Sequence, residues 1–127
     1  MKRLDGSWRP KWITCGASRH VLLTRRYAFK FPNFRWGWRP FLNGLLANLQ
    51  EREFGATKWP ELCPITFSIP GGWLVVMRRA EMLTDDEWAT FDAKKFCEGN
   101  DDYCVPAEYK RDSFGKLDGR IVAVDFG

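Results

Sequence analysis

Apolar and polar positions alternate over the first third of the chain and predict strands at Lys11–Cys15, Val21–Thr24 and Tyr27–Phe31. Gly16-Ala17-Ser18 separates the first two and the basic pair Arg25-Arg26 the next two. Pro32 stops the run, because it has no N–H to give to a ladder. Residues 33–39 read as a loop rich in Trp and Arg. From Pro40, a residue suited to a first helical turn, the positions Leu42, Leu45, Leu46, Leu49 and Phe54 recur near helical spacing. They predict a helix with that stripe turned inward, ended at Gly55. Ile65–Ile69 and Trp73–Met77 flank Pro70-Gly71-Gly72, a hairpin pattern. Thr84 and Glu87 are spaced as a capping box at the head of a second helix running to about Phe96, with Leu83 and Trp88 where a hydrophobic staple belongs. After a polar loop at Glu98–Asp102, Asp118-Gly119 turns a final hairpin whose second strand, Arg120–Phe126, is apolar. Three strands, a helix, two strands, a helix and a hairpin predict an α+β fold on an antiparallel sheet. It is read as one domain over 1–127, without repeats or low-complexity segments.

Composition agrees with a folded domain. Apolar residues make up 45% and charged residues 28% of the 127 positions, so the chain has the means to build a core. Aromatic residues reach 16%, enough to leave some aromatic surface for a partner. No apolar run has the length of a membrane span, and the basic start lacks the apolar stretch of a secretory signal. The expectation is a cytoplasmic protein with no membrane partner. Cys15, Cys63, Cys97 and Cys104 follow no C-x-x-C spacing, and His20 is the single histidine, so free thiols are expected rather than a zinc site. His20, expected in a loop, is given no catalytic role.

Charge is unevenly placed. Residues 1–39 carry ten Lys/Arg against one Asp, whereas residues 40–127 carry ten against fifteen Asp/Glu. A basic segment interleaved with Trp8, Trp12, Tyr27, Phe34, Trp36 and Trp38 suits nucleic acid, through phosphate contacts and stacking. It equally suits a solvated basic face balanced by the acidic remainder of the fold.

Three short segments then carry chemistry. Lys30 stands in the otherwise apolar strand Tyr27-Ala28-Phe29-Lys30, where a lysine is either an edge-strand guard or a phosphate ligand. Glu51 follows 21 residues later in the first helix, and a helix carboxylate is how a phosphate-holding strand lysine is oriented. Val122-Ala123-Val124-Asp125 delivers a carboxylate at the end of a buried strand, fit to hold Mg²⁺ against phosphate oxygens.

With Gly16-Ala17-Ser18-Arg19-His20-Val21 between the first strands, Lys30, Glu51 and Asp125-Phe126-Gly127 in this order, the sequence resembles the protein-kinase-like superfamily over about residues 11–127. The stretch from Asp112 to Asp125 is most similar to small kinase-like proteins of bacteria and their viruses. The resemblance implies a kinase N-lobe with a much-reduced C-terminal part. It also implies Mg²⁺ and ATP as ligands, with Gly16, Arg19, Lys30 and Glu51 at the nucleotide and Ser113 and Asp125 at the metal. Glu108, and beside it Asp112, fall near the place of the catalytic base.

Departures from the kinase pattern weigh against chemistry and leave a structural ion network of Lys30, Glu51 and Asp125 as the alternative to a working site. Only Gly16 remains of the glycine loop, and Arg19 stands near the place of the last glycine, where it would add a charge contact. Glu108 replaces the base Asp and Ser113 the metal-binding Asn, both poorer in their roles. Only about 30 residues (82–111) separate the hinge-like Met77–Glu81 from the catalytic-loop position, and the motif falls at the last residue. The expectation is therefore an impaired kinase-like domain, lacking activation segment and peptide-docking helices, that binds another protein. Its anchors would be Arg35, Trp36, Trp38 and Arg39, unless that loop folds back on the core. For a viral member of the family, such a role implies blocking a host system, for example as an anti-CRISPR protein. The alternatives are a minimal Mg²⁺–ATP-dependent phosphotransferase or nucleotide-binding protein, and nucleic-acid binding through the basic, aromatic N-terminal half.

Overall fold

Alternation over residues 19–32 does build strands, and the register shows what their inward face holds. In the computed structural model, which describes residues 10–15, 18–35, 37–98 and 102–126, the chain is α+β with antiparallel sheets. Strands β1 (Lys11–Cys15), β2 (Arg19–Leu23), β3 (Tyr27–Pro32), β4 (Ile65–Ile69) and β5 (Leu74–Arg78) form one sheet in the order β1-β2-β3-β5-β4. Val21, Lys30 and Val75 are neighbours in register across β2, β3 and β5, and all three are buried. Lys30 thus lies on the central strand, which excludes the edge-guard reading. His20, expected in a loop, lies within β2.

Helix α1 (Trp38–Ala56) packs chiefly on β3. It begins two residues before Pro40, which is tolerated because the first-turn N–H groups have no partner within the helix. It also runs through Gly55, the expected stop. Its inward face is not the leucine stripe. Gly44, Asn48 and Glu51 are the buried positions, at helical spacing, while Leu42 and Leu46 are 49% and 57% exposed. The reason is close approach: a Cβ on Gly44 would meet the Ser18 carbonyl oxygen, and Pro32 Cα at 2.8 Å. With backbones this near, there is room for an amide and a carboxylate that answer polar groups of the sheet, and not for leucines.

The second half forms a small sheet of its own. Strands β6 (Glu81–Met82), β7 (Phe114–Leu117) and β8 (Arg120–Ala123) lie in sequence order, with Asp118 (φ 51°) and Gly119 (φ 85°) at the expected turn. β6 had no counterpart in the sequence pattern, and the final strand ends at Ala123 rather than Phe126. The Thr84 capping box is present at the head of α2 (Asp85–Thr90). The expected single helix breaks at Phe91, whose backbone is extended, and the Asp92 carboxylate accepts the Lys95 N–H (3.0 Å) to start α3 (Ala93–Glu98). Phe91 lies 5.0 Å and Phe96 5.7 Å from the Phe114 ring between centroids, so the break gives this part of the core its aromatic centre.

The two sheets share one apolar core. Cys63 N–H donates to Ala123 O and Ala123 N–H to Glu61 O, both at 2.8 Å, tying β8 to the segment before β4. No helix among the described residues is long and apolar enough to cross a membrane.

Candidate functional site

Where α1 faces the first sheet, four charged residues distant in sequence converge. Arg19 opens β2, Lys30 lies in β3, Glu51 on the inward face of α1, and Asp125 just after β8. Lys30 Nζ lies 3.0 Å and 3.1 Å from the two Glu51 oxygens and also donates to the Val124 carbonyl. The Arg19 guanidinium grips the same carboxylate as a fork, Nη1 to Oε1 at 2.8 Å and Nη2 to Oε2 at 3.1 Å. Its Nη2 reaches Asp125 Oδ1 at 2.7 Å. The Phe126 N–H adds a further donor to Glu51 Oε2 at 3.2 Å. Asn48 accepts from Arg19 (3.2 Å) and donates to Lys30 O (3.0 Å) and Gly72 O (2.9 Å), fixing the helix against the sheet.

Among the described residues the network holds two cations and two anions, and three of the four side chains are essentially out of water. Glu51 is 0%, Arg19 2% and Lys30 4% exposed, while the Asp125 side chain keeps 28% of its surface. Bidentate, charge-assisted bonds of this kind are the strong ones. Removing a single partner from a desolvated set strands the others.

The same geometry tests whether Mg²⁺ and ATP fit. Arg19, expected to reach toward phosphate, is spent on Glu51 and Asp125, and a guanidinium already answers the carboxylate a metal would need. Ser113 does lie beside Asp125, since its carbonyl accepts the Val124 (2.8 Å) and Asp125 (3.4 Å) N–H groups. Its hydroxyl, however, is buried and has no hydrogen-bond partner among the described residues. Nor does any group of three His, Cys, Asp or Glu among them converge as metal ligands. Among the described residues, then, Arg19 holds the Asp125 carboxylate and the Ser113 hydroxyl stays without a partner. Glu108 and Asp112 are exposed and lie apart from the network's hydrogen bonds; Glu108 pairs with Lys110 at 3.3 Å. Gly16 lies outside the described residues.

The thiol nearest this network is held quiet. Burial pushes the Cys63 thiol up to about 11, with Lys30 and Arg78 opposing, and its Sγ donates to Arg78 O at 3.1 Å. A thiol kept protonated is a poor nucleophile. His20 Nε2 lies 3.1 Å from Asn33 Oδ1, which also accepts the Arg35 N–H at 2.8 Å. That pair shapes the loop leading into α1.

Beyond this loop is the second candidate surface. Phe34, Gly37, Trp38 and Phe41 line an open groove of about 340 Å³. Phe41 is its base, 5.5 Å from Phe34 and 5.6 Å from Trp73 between ring centroids. Trp38 is 78% exposed, and Arg35 and Arg39 are exposed beside it. Trp36, the fourth expected anchor, lies outside the described residues. Sequence reasoning passed over Asn48, Phe41 and Trp73 as site residues. Asn48 was visible in principle, as the polar residue one turn before Glu51 on the same helix face.

Comparison with protein-family models, with curated proteins and with solved structures finds no match for this chain.

Proposed function

We propose that this chain is a kinase-like domain without phosphotransfer, working by binding another protein through the aromatic surface around Trp38. The observation that carries this reading is the Arg19 guanidinium bonded to both Glu51 and Asp125. The strand order β1-β2-β3-β5-β4 with α1 between β3 and β4, and the Lys30–Glu51 pair inside it, support the likeness to a kinase N-lobe. Arg19 then takes the electrostatic place of metal and phosphate, so the lysine–glutamate pair serves the fold rather than a nucleotide.

The chemistry of the binding surface favours an acidic, partly apolar protein partner. Helix α1 starts with its positive dipole end beside Arg35 and Arg39, and its first turn holds no acidic residue. Exposed aromatic rings flanked by arginine are the composition of interface hot spots.

Two measurements test the reading. Saturating Mg²⁺–ATP stabilises a binder by about 2.7 kcal/mol at 100 times Kd, about 10 °C for a domain of this size. The expected result is no shift at millimolar ATP; a shift that Asp125→Asn abolishes overturns the closed site. Affinity capture with wild type and with Trp38→Ala/Arg39→Glu then tests the surface. A protein enriched by the wild type and lost by the variant supports it, and identical captured sets overturn it.

A further inference from the structure

On residues that take no part in the ion network, the two sheets meet along Arg78–Glu81. Beside this segment is an open cleft of about 540 Å³, within the ~300–1,000 Å³ range of ligand sites. Two tight turns border it. One is the β2–β3 turn, closed by Thr24 N–H to Tyr27 O at 2.8 Å, with Arg25 and Arg26 at its tip. The other is the Asp118-Gly119 turn between β7 and β8. The turns are fastened to the junction: Arg79 N–H donates to Arg26 O (2.8 Å), and Arg78 Nη1 pairs with Asp118 Oδ2 (3.2 Å). Tyr27 is the register partner of Arg78.

The lining is strongly cationic. Arg25, Arg26, Arg78, Arg79 and Lys116 face the cleft, against Glu81 and Asp118 as its acids. Lys116 pairs with Glu87 at 3.0 Å in a half-buried pair, and Arg78 with Asp118 in an exposed pair that costs little to rearrange. The guanidinia of Arg25 and Arg26 are exposed and make no hydrogen bond or ion pair among the described residues. The Tyr27 ring, 39% exposed, lines the same cleft. Guanidinium forks match phosphate oxygens, and an accessible ring among them offers a base a surface to stack on. An acidic peptide would use the arginines but would leave the ring without a planar partner. A duplex keeps its bases stacked inside, away from Tyr27.

We infer that this cleft binds single-stranded nucleic acid, with Arg25, Arg26 and Arg78 on successive phosphates and Tyr27 stacked on a base, while Arg79 Nη1 stays on the Thr24 carbonyl (3.1 Å) and braces the turn. The site is independent of the Trp38 surface and of the closed nucleotide site, so its failure would leave the proposed function standing.

The experiment is fluorescence anisotropy of the full chain with labelled dT and rU 12-mers at 50 and 200 mM NaCl. Each single-strand phosphate neutralised contributes about 0.7 to the log–log salt slope, so three contacts give a slope of about −2.1 and a roughly 20-fold loss of affinity across that range. Arg25→Glu/Arg26→Glu is expected to weaken binding at least about tenfold. Both side chains are exposed, so the variant keeps its fold. Tyr27→Leu is expected to weaken binding at least about fivefold, the low end of a lost base stack. Lys94→Glu/Lys95→Glu, the same charge change on the exposed face of α3, is expected to leave binding within about twofold. Binding of either sugar supports the site. No saturable binding at 50 mM NaCl overturns it, as does an equal loss from the α3 variant. Displacement of the 12-mer by polyglutamate or inorganic polyphosphate as readily as by unlabelled 12-mer, with Tyr27→Leu silent, also overturns it.

Discussion

Arg19 Nη2 lies 2.7 Å from Asp125 Oδ1, a bond between residues 106 positions apart that joins the second strand to the segment following the last. With Glu51 between Arg19 and Lys30, this bond makes one electrostatic unit of the first sheet, α1 and the final turn of chain. It also occupies the carboxylate that the sequence offered to a metal.

Glu51 is the hub, and its removal is expected to cost more than that of Lys30. Glu51→Gln leaves two buried cations facing one carboxylate, for which about 3–5 kcal/mol is typical. That corresponds to a fall in Tm of at least about 10 °C in a domain of this size. Lys30→Met leaves Glu51 still gripped by Arg19 and costs less. Urea denaturation of the two variants checks the order, and a reversed order would mean that Lys30 carries the network.

Gly44→Ala is expected to destabilise the protein by about 1–3 kcal/mol, although alanine is the better helix former. The added Cβ would press on the Ser18 carbonyl and the Pro32 backbone, pushing α1 off β3 and Glu51 away from Lys30. Equilibrium unfolding measures it. A stabilised variant would show that the helix has slack.

Ser113→Ala is expected to be neutral or stabilising by up to about 1 kcal/mol, because it deletes a buried hydroxyl with no hydrogen-bond partner among the described residues. Thermal unfolding with and without millimolar Mg²⁺ distinguishes this from a ligand role. Magnesium that stabilised wild type and not the variant would place a metal at Ser113.

Acid sensitivity has a nameable contributor at the head of α2. The Thr84 backbone N–H, followed by the Lys116 ammonium, holds the Glu87 carboxyl below its ordinary 4.5. Because the folded value lies below the unfolded one, the contribution is present above 4.5 and is lost as pH falls through the folded value. The stability gap between wild type and Glu87→Gln is therefore expected to be widest at neutral pH and to narrow on acidification. Chemical denaturation at pH 7, 4.5 and 3 reads it, and a gap independent of pH would remove Glu87 from the acid limb.

The strands of the first sheet, its hairpins and the Thr84 cap were legible because each rests on local signals: alternation, turn residues and a four-residue motif. Lys30, Glu51 and Asp125 stood out as charged residues set in apolar elements. Their closure by Arg19 was not legible, since it depends on a contact 106 residues apart in sequence. The inward face of α1 misled for a physical reason. Leucine periodicity marks the core only where there is room for leucine, and the space opposite Gly44 is taken by backbone. The helix break at Phe91 was hidden because Asp92 reads as one more polar helical residue until its carboxylate is seen capping Lys95. β6, two residues long, carries too little pattern to find.

The buried ion network also constrains how the sequence can drift. A change at Arg19, Lys30, Glu51 or Asp125 alone leaves an unbalanced charge, mostly shut away from water. Lineages that keep the fold are thus confined to substitutions made in compensating pairs, or to retaining all four. Sequences descended from a common ancestor with this chain should vary these positions together, even where no catalytic demand preserves them.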